Sequence, residues 1–255
     1  MSPVILEVKD LAMRFGGLLA VDGVGFNVKQ KQILSLIGPN GAGKTTVFNC
    51  LTGFYKPTSG TITLKGEQIQ GLAGHKVARK GVVRTFQNVR LFSEMTAIEN
   101  LLIAQHRHLN TSFIGGLLKT ASYRRSERQA LEYASQWLEK VGLIDVANRT
   151  AGTLAYGQQR RLEIIRCMMT KPEILMLDEP AAGLNPKETE DLKELIALLR
   201  DDYNVTVLLI EHDMKLVMTI SDYIVVINQG KPLAEGLPEE VRNNPEVIKA
   251  YLGEE

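Results

Sequence analysis

The sequence predicts an α/β fold: a parallel sheet covered on both faces, with a helical lobe inserted into it. Three observations predict it. The stretches "EILMLDE" (173–179), "VTVLLIEHD" (205–213) and "YIVVINQG" (223–230) hold continuous apolar runs of strand length, as parallel strands buried on both faces require. Helical patterns such as "PKETEDLKELIALLR" separate them, giving the strand–helix alternation of crossover units. From Ala97 to about Thr170 the apolar spacing instead becomes three and four, in "AIENLLIAQH" and "RQALEYASQWLEKVGL", which is the helical period.

In chain order, the N-terminal third is strand-rich. The segments "ILEVKDL", "GVGFNV", "ILSLIG", "TITLKG" and "GVVRTFQ" are rich in β-branched residues and broken by glycine or turn pairs. The helical lobe follows. Within it, "RHLNTSFIGGLLKTASYRR" (107–125) mixes glycine, serine and basic residues and reads as a solvated, loop-rich connector, with a short amphipathic segment as the other reading. The alternating strands and helices close the chain. There is no internal repeat and no low-complexity tract.

With 255 residues, 44% of them hydrophobic and 23% charged, the chain can bury a full core as one domain with a lobe. A formal net charge of +1 gives no electrostatic footprint for nucleic acid, so no nucleic-acid partner is expected. Cys50 and Cys167 have no Cys or His at metal-ligand spacing and sit in apolar helical patterns, so buried, reduced thiols are expected. The opening "MSPVILEVKD" has no basic region followed by an apolar core, so it does not read as a leader, and no segment approaches the roughly 18 consecutive apolar residues of a membrane span. Work at a membrane therefore requires docking on a partner.

The strongest chemical signal is "GPNGAGKTT", Gly38 to Thr46. It fits G-x-x-x-x-G-K-[ST], follows the strand "ILSLI" and opens the helix "TTVFNCL". Gly38, Gly41 and Gly43 let the backbone turn so that its N–H groups and the helix N-terminus face a polyphosphate, with Pro39, Asn40 and Ala42 completing the loop. Lys44 is placed for the β- and γ-phosphates, Thr45 for Mg²⁺ and Thr46 for another phosphate oxygen, so ATP and Mg²⁺ are the expected ligands. The second signal is "ILMLDEP". Asp178 closes an apolar strand where it can reach Mg²⁺ through water. Glu179, one residue on, can polarise the attacking water as a general base. Alone, such an acidic pair could simply cap the next helix.

The order of further motifs carries a resemblance. "RTFQNVRLF" with Gln87, "LAYGQ" with Tyr156, Gly157 and Gln158, "DEPAAGLN", and "LLIEHDM" with His212 follow one another as they do in the nucleotide-binding subunits of ATP-binding cassette transporters, which this chain resembles over essentially its whole length. The resemblance implies a P-loop NTPase of ABC-ATPase type: a RecA-like core, an N-terminal antiparallel β subdomain and an α-helical lobe. A single ABC ATPase domain is expected over 1–255, with the core at about 1–87 and 170–255 and the lobe with the signature at 88–169. Gln87 is implied as Mg²⁺ or water ligand and hinge, His212 as a γ-phosphate contact, and Phe15 of "MRFGG" as the ring stacked on adenine. "LAYGQ" is implied as half of a shared site. Two ATPase subunits pair head to tail, and the signature of one closes over the nucleotide of the other. Arg160 and Arg161, beyond it, are read as structural or interfacial.

Ala155 stands where the signature usually has serine, Tyr156 where it usually has glycine, and Asn185 where an aspartate is common. A variant with intact turnover is expected, and a slow composite site is the alternative. "RFGGLLAVDGV", "GPNGAGKTTVFNCLTGFYKPTSG", "VRTFQNVRLFSEMTAIENLL" and "NPEVIKAYLGEE" look like the bacterial branched-chain amino acid importers. That likeness implies a sister ATPase subunit, with a homodimer also open for the isolated chain. It further implies two membrane permease subunits, a periplasmic solute-binding protein, and a peripheral position on the cytoplasmic face of the inner membrane. A soluble ABC-type ATPase, for example in iron–sulfur assembly, remains the alternative from another class. An importer for another substrate also stays open, whereas a P-loop kinase or small GTPase leaves the signature unexplained.

Overall fold

The computed structural model describes residues 2–105 and 121–252. The chain forms two compact units, one of Met1–Gln87 with Glu173–Glu255, the other of Asn88–Pro172.

The first unit contains two sheets. Strands β1 (Val4–Phe15), β2 (Leu18–Lys29), β4 (Ser59–Leu64) and β5 (Glu67–Gln68) form an antiparallel sheet in the order β2-β1-β4-β5. β1 and β2 run longer than the sequence predicts. Register shifts flank Asp10, whose φ is +48°, so the chain absorbs "KD" as an irregularity and keeps pairing beyond it. The second sheet has the order β10-β9-β3-β8-β7-β6, from β3 (Ile33–Ile37), β6 (Val82–Arg84), β7 (Ile174–Asp178), β8 (Thr206–Ile210), β9 (Tyr223–Asn228) and β10 (Lys231–Gly236). β9, β3, β8, β7 and β6 pair in parallel, and every residue of β3, β7 and β8 is buried.

Both faces of this sheet are covered. On one, Leu34, Leu36, Met176, Leu208 and Ile210 share a core with the antiparallel sheet and with Val47, Phe48 and Leu51 of helix α1 (Lys44–Leu51). On the other, Ile37, Ile224 and Val226 pack with Val217, Val241 and Val247. Cys50 and Cys167 are free and buried. Burial pushes the Cys50 thiol up to about 11 and the Cys167 thiol up to about 12, which keeps both protonated and unreactive at neutral pH.

The second unit is helical among its described residues: α2 (Ala97–Gln105), α3 (Ala121–Lys140) and α4 (Tyr156–Met168), with two short 3₁₀ turns at Ile144–Val146 and Ala151–Thr153. Leu101, Ala134, Trp137, Leu138, Leu143 and Leu162 are buried. One expectation is corrected here. Of the connector read at 107–125, residues 107–120 lie outside the described residues, but 121–125 open α3. The inward stripe of Ala130, Ala134 and Trp137 continues back through partly buried Ser126 and Tyr123, and the Tyr123 hydroxyl bonds Glu127 one turn on. Below the start of α4, Glu163 is buried and takes hydrogen bonds from Arg160 Nη1 and from the Arg90 N–H, each at 3.0 Å. Arg160 is fully buried in this pair, in line with a structural reading of that residue.

Breaking a buried ion pair from one side leaves a desolvated charge behind. Glu163→Ala should therefore destabilise the chain by about 3–5 kcal/mol, measurable as a lowered urea midpoint. A midpoint equal to wild type would contradict this account of the pair.

Candidate active site

The chemistry gathers at the carboxyl ends of the parallel strands, where ligands bind in open α/β sheets. β3 leads into the glycine-rich loop, β7 into Asp178 and Glu179, β8 into Glu211 and His212, and β6 into Gln87.

Within the loop, Gly38 and Gly43 cannot take a side chain without moving their neighbours. A Cβ at Gly38 would collide with the Ile227 carbonyl, and one at Gly43, whose φ is +97°, would lie 2.6 Å from the Ala20 carbonyl. The loop is tied behind by the Gly230 N–H donating to the Ala42 carbonyl at 3.0 Å, and Gly230 in turn accepts from the Asp22 N–H at 2.7 Å. Gly230 belongs to the two-residue β9–β10 turn Gln229-Gly230, both with positive φ. Lys44 is buried and its ammonium donates to the Gly38 and Pro39 carbonyls at 2.7 and 3.0 Å. Burial lowers its proton affinity, while the charges of Glu179 and Asp178 act the other way. Thr45 is exposed, Thr46 half-buried, and Asn40 and Gly41 lie open at the loop tip.

Glu179 and Gln87 are in contact: Gln87 Nε2 donates to Glu179 Oε2 at 2.9 Å. His212 Nδ1 stands 3.9 Å from the same oxygen. Lys44, Asp178, Glu179, Gln87 and His212, far apart in sequence, thus share one site. Gln87 is also the last residue before the helical unit begins. Phe15 closes β1, is 41% exposed, and meets Tyr55 edge-on with ring centroids 5.2 Å apart. An aromatic pair of this kind leaves surface on which a flat ring can stack.

"LAYGQ" lies in the helical unit. Ala155 is the N-cap of α4 and has no side-chain acceptor. Instead Gln158 Oε1 reaches back to the Ala155 N–H at 3.1 Å, and Gln159 Nε2 donates to the Leu154 carbonyl at 2.8 Å. Tyr156 is exposed and Gly157 buried. Asn185 caps α5 (Pro186–Asp201) in a full capping box with Glu188, both bonds at 3.0 Å, so the departure from aspartate keeps a good N-cap.

Two residues that motif reading passes over belong to the site. Arg84, on β6, gives Nη2 to Asp178 Oδ2 at 2.5 Å and Nη1 to Asn49 Oδ1 at 2.6 Å, between the rings of Phe48 and Phe86. Both members of the Arg84–Asp178 pair are about nine-tenths buried or more. Glu211, fully buried, accepts main-chain N–H groups from two loops. The signal for both is an ionisable residue prolonging an apolar strand, "GVVRTFQ" and "LLIEHD", where a partner is obligatory.

The chain belongs to the ABC transporter family, as one of its ATP-binding cassette ATPases: the model described as ABC transporter matches residues 21–182, and that for the branched-chain amino acid ATP-binding cassette transporter matches residues 231–255. It is 76% identical over 254 residues, covering all of both chains, to the high-affinity branched-chain amino acid transport ATP-binding protein BraF of Pseudomonas aeruginosa. It is 67% identical, again over both full lengths, to the corresponding protein LivG of Escherichia coli K12. Its fold matches the crystal structure of the ADP conformation of an ATP-binding cassette of an ABC transporter with a TM-score of 0.85, at 32% identity, over 99% of this chain and 100% of the other. The predicted fold class, with its antiparallel sheet, parallel core and helical insertion, is the one observed.

Taking Asp178 as the metal-side carboxylate, Arg84 orients it from behind. Arg84→Met should raise the Mg²⁺ concentration needed for half-maximal ATP binding about ten- to hundredfold, the usual cost of losing such a support. Lysine should restore little, because it cannot fork to Asp178 and Asn49 together. An unchanged Mg²⁺ titration by fluorescent-nucleotide binding would rule this role out.

Proposed function

We propose that this chain is the ATP-hydrolysing subunit that powers import of branched-chain amino acids through partner permease subunits. One observation carries the hydrolytic part: a buried lysine, two carboxylates, a glutamine and a histidine meet at the carboxyl ends of four strands. The substrate rests on full-length identity of 76% and 67% to proteins named for branched-chain amino acid transport.

ATP is the substrate. The N–H groups of Gly41 to Thr46 and the Lys44 ammonium hold its phosphates, and Phe15 stacks on adenine. The Thr45 hydroxyl, Asp178 carboxylate and Gln87 amide are few, hard oxygen donors. Mg²⁺ is characteristically bound through one or two carboxylates beside phosphate oxygens rather than in an all-protein cage, and Asp178 is one such carboxylate. The donor set fits Mg²⁺, which would supply positive charge to offset that of the phosphate oxygens. Glu179 takes a proton from water as the water oxygen attacks the γ-phosphorus and ADP leaves; Gln87, bonded to Glu179, orients the base. His212 contacts the γ-phosphate.

The second half of the site comes from a sister ATPase subunit arranged head to tail, whose Tyr156, Gly157 and Gln158 counterparts close over the nucleotide. Orphan N–H groups at a helix start suit a phosphate without a lysine. The two permeases hold the pair at the cytoplasmic face of the inner membrane, with a periplasmic solute-binding protein upstream. The whole of 1–255 works as one ABC ATPase domain, the lobe at 88–169 inserted in it.

The test is ATP turnover and binding in the complex extracted with detergent, where two membrane subunits should co-purify. Lys44→Ala should abolish turnover and most binding. Glu179→Gln should keep binding and lower hydrolysis by about 10²- to 10⁴-fold, the range for loss of a general base. Normal hydrolysis in either variant refutes the site, and purification without membrane subunits refutes the transport role.

A further inference from the structure

Glu211 takes no part in the chemistry described above, yet it is fully buried immediately after β8. Its Oε1 accepts the Ala181 N–H at 2.7 Å, and its Oε2 accepts the His212 N–H at 3.1 Å and the Asp213 N–H at 3.5 Å. Ala181 lies in the turn that follows Glu179; His212 and Asp213 lie in the loop after β8. One carboxylate therefore bridges the two loops. Burial raises its proton affinity while the three N–H groups lower it, and burial is the larger effect. His212 Nδ1 is 3.9 Å from Glu211 Oε2, the same distance as from Glu179 Oε2.

Glu179 needs such support. Its φ is +46°, in the left-handed region that costs a non-glycine residue energy and persists only where the surroundings over-determine it. The turn is held on the β8 side at two points: the Glu179 N–H donates to the Ile210 carbonyl at 2.9 Å, and the Ala181 N–H to Glu211. The second of these depends on a side chain.

We infer that Glu211 is a positioning residue: its carboxylate ties the turn carrying Glu179 to the loop carrying His212 and so holds both in one working arrangement. This rests on the reading of Glu179 as the base. A glutamine in its place has one acceptor oxygen, and its NH₂ faces an N–H, so either Ala181 or the His212–Asp213 pair loses its acceptor. An aspartate keeps both oxygens but is one methylene too short to reach both loops.

The experiment uses the co-purified complex carrying wild type, Glu211→Gln, Glu211→Asp, Glu179→Gln or the double Glu211→Gln/Glu179→Gln variant. It reads ATP affinity, kcat, KM, melting temperature and amide exchange. Glu211→Gln should lower kcat about ten- to hundredfold, the size expected when hydrogen bonds to a charged acceptor are lost, with KM and ATP affinity within about twofold. Exchange at Ala181 and His212 should accelerate, and aspartate should rescue only in part. On the Glu179→Gln background the further loss should shrink to about twofold or less, because the two act as a unit. A retained kcat, unchanged exchange at Ala181, or losses that multiply in the double variant overturn the inference. So does a fall of kcat, ATP affinity and melting temperature together, which marks a merely structural residue. If Glu211→Gln does not fold, Glu211→Asp decides by the same measurements. A wild-type complex without ATPase activity overturns the function itself, a separate and visible outcome.

Discussion

The register among β3, β8 and β7 is the constraint on which the site depends. Ile210 pairs with Asp178 on one side and with Leu36 on the other, so the glycine-rich loop, the acidic pair and the histidine loop all leave the sheet at one level. Side chains alternate along a strand, and a slip of one residue would turn every one to the opposite face. Here the usual guard against slipping is weak, since β3, β7 and β8 are buried along their whole length and mostly apolar on both faces. Polar fastenings at the strand ends hold the register instead. The Ile33 N–H donates to Asp222 Oδ2 at 2.8 Å, the Lys31 N–H to Thr206 Oγ1 at 3.0 Å, and the Ser35 and Ser221 hydroxyls meet at 2.6 Å inside the core. Glu211 is the counterpart of these at the carboxyl end.

The charges follow from that geometry. Two acids at adjacent positions next to a polyphosphate site repel the substrate unless they are compensated. Arg84 offsets Asp178 at close range and is itself fixed by Asn49 and two aromatic rings. Lys44 is left bonded to carbonyls of its own loop, neutral acceptors that an ionised oxygen would outcompete, since hydrogen bonds between ionised groups are about twice as strong. The division of labour between the two cations is thus set by their partners: a carboxylate for arginine, carbonyls for lysine.

What could be read in the sequence was what is local. "GPNGAGKTT" directly follows a strand and "ILMLDEP" contains one, so residue type, spacing and flanking strand lie within about fourteen positions in each case, and the loop and the acids could be read directly. Gln87 and His212 needed the order of motifs, because nothing near either residue marks it as functional. Arg84 and Glu211 escaped because their partners are distant, 94 and 30 positions away, and a single sequence carries no record of pairing. The helix from Ala121 was misread for a different reason: its first turns are largely exposed, so polar residues hide the period that its buried half displays. Strands β1 and β2 run past their expected ends because irregular backbone at Asp10 in β1 and at Gly23 in β2 looks like a strand end in sequence while pairing continues past it.

The start of α4 shows how the departure at Ala155 is accommodated. A serine N-cap satisfies one of the helix's own N–H groups, and replacing it with alanine costs about 1 kcal/mol in a typical helix. This chain recovers stability from the opposite direction: Gln158 accepts the Ala155 N–H and Gln159 donates to the Leu154 carbonyl, so the side chains secure the residues before the helix rather than its first turn. Below, the buried Arg160–Glu163 pair fixes the second turn. The helix start is consequently held in place without a hydroxyl turned inward on its leading N–H groups, which keeps those donors for an acceptor from outside. On these terms alanine is compatible with a helix start held in place, because two glutamines secure the residues behind it and leave the leading N–H groups without a side-chain cap.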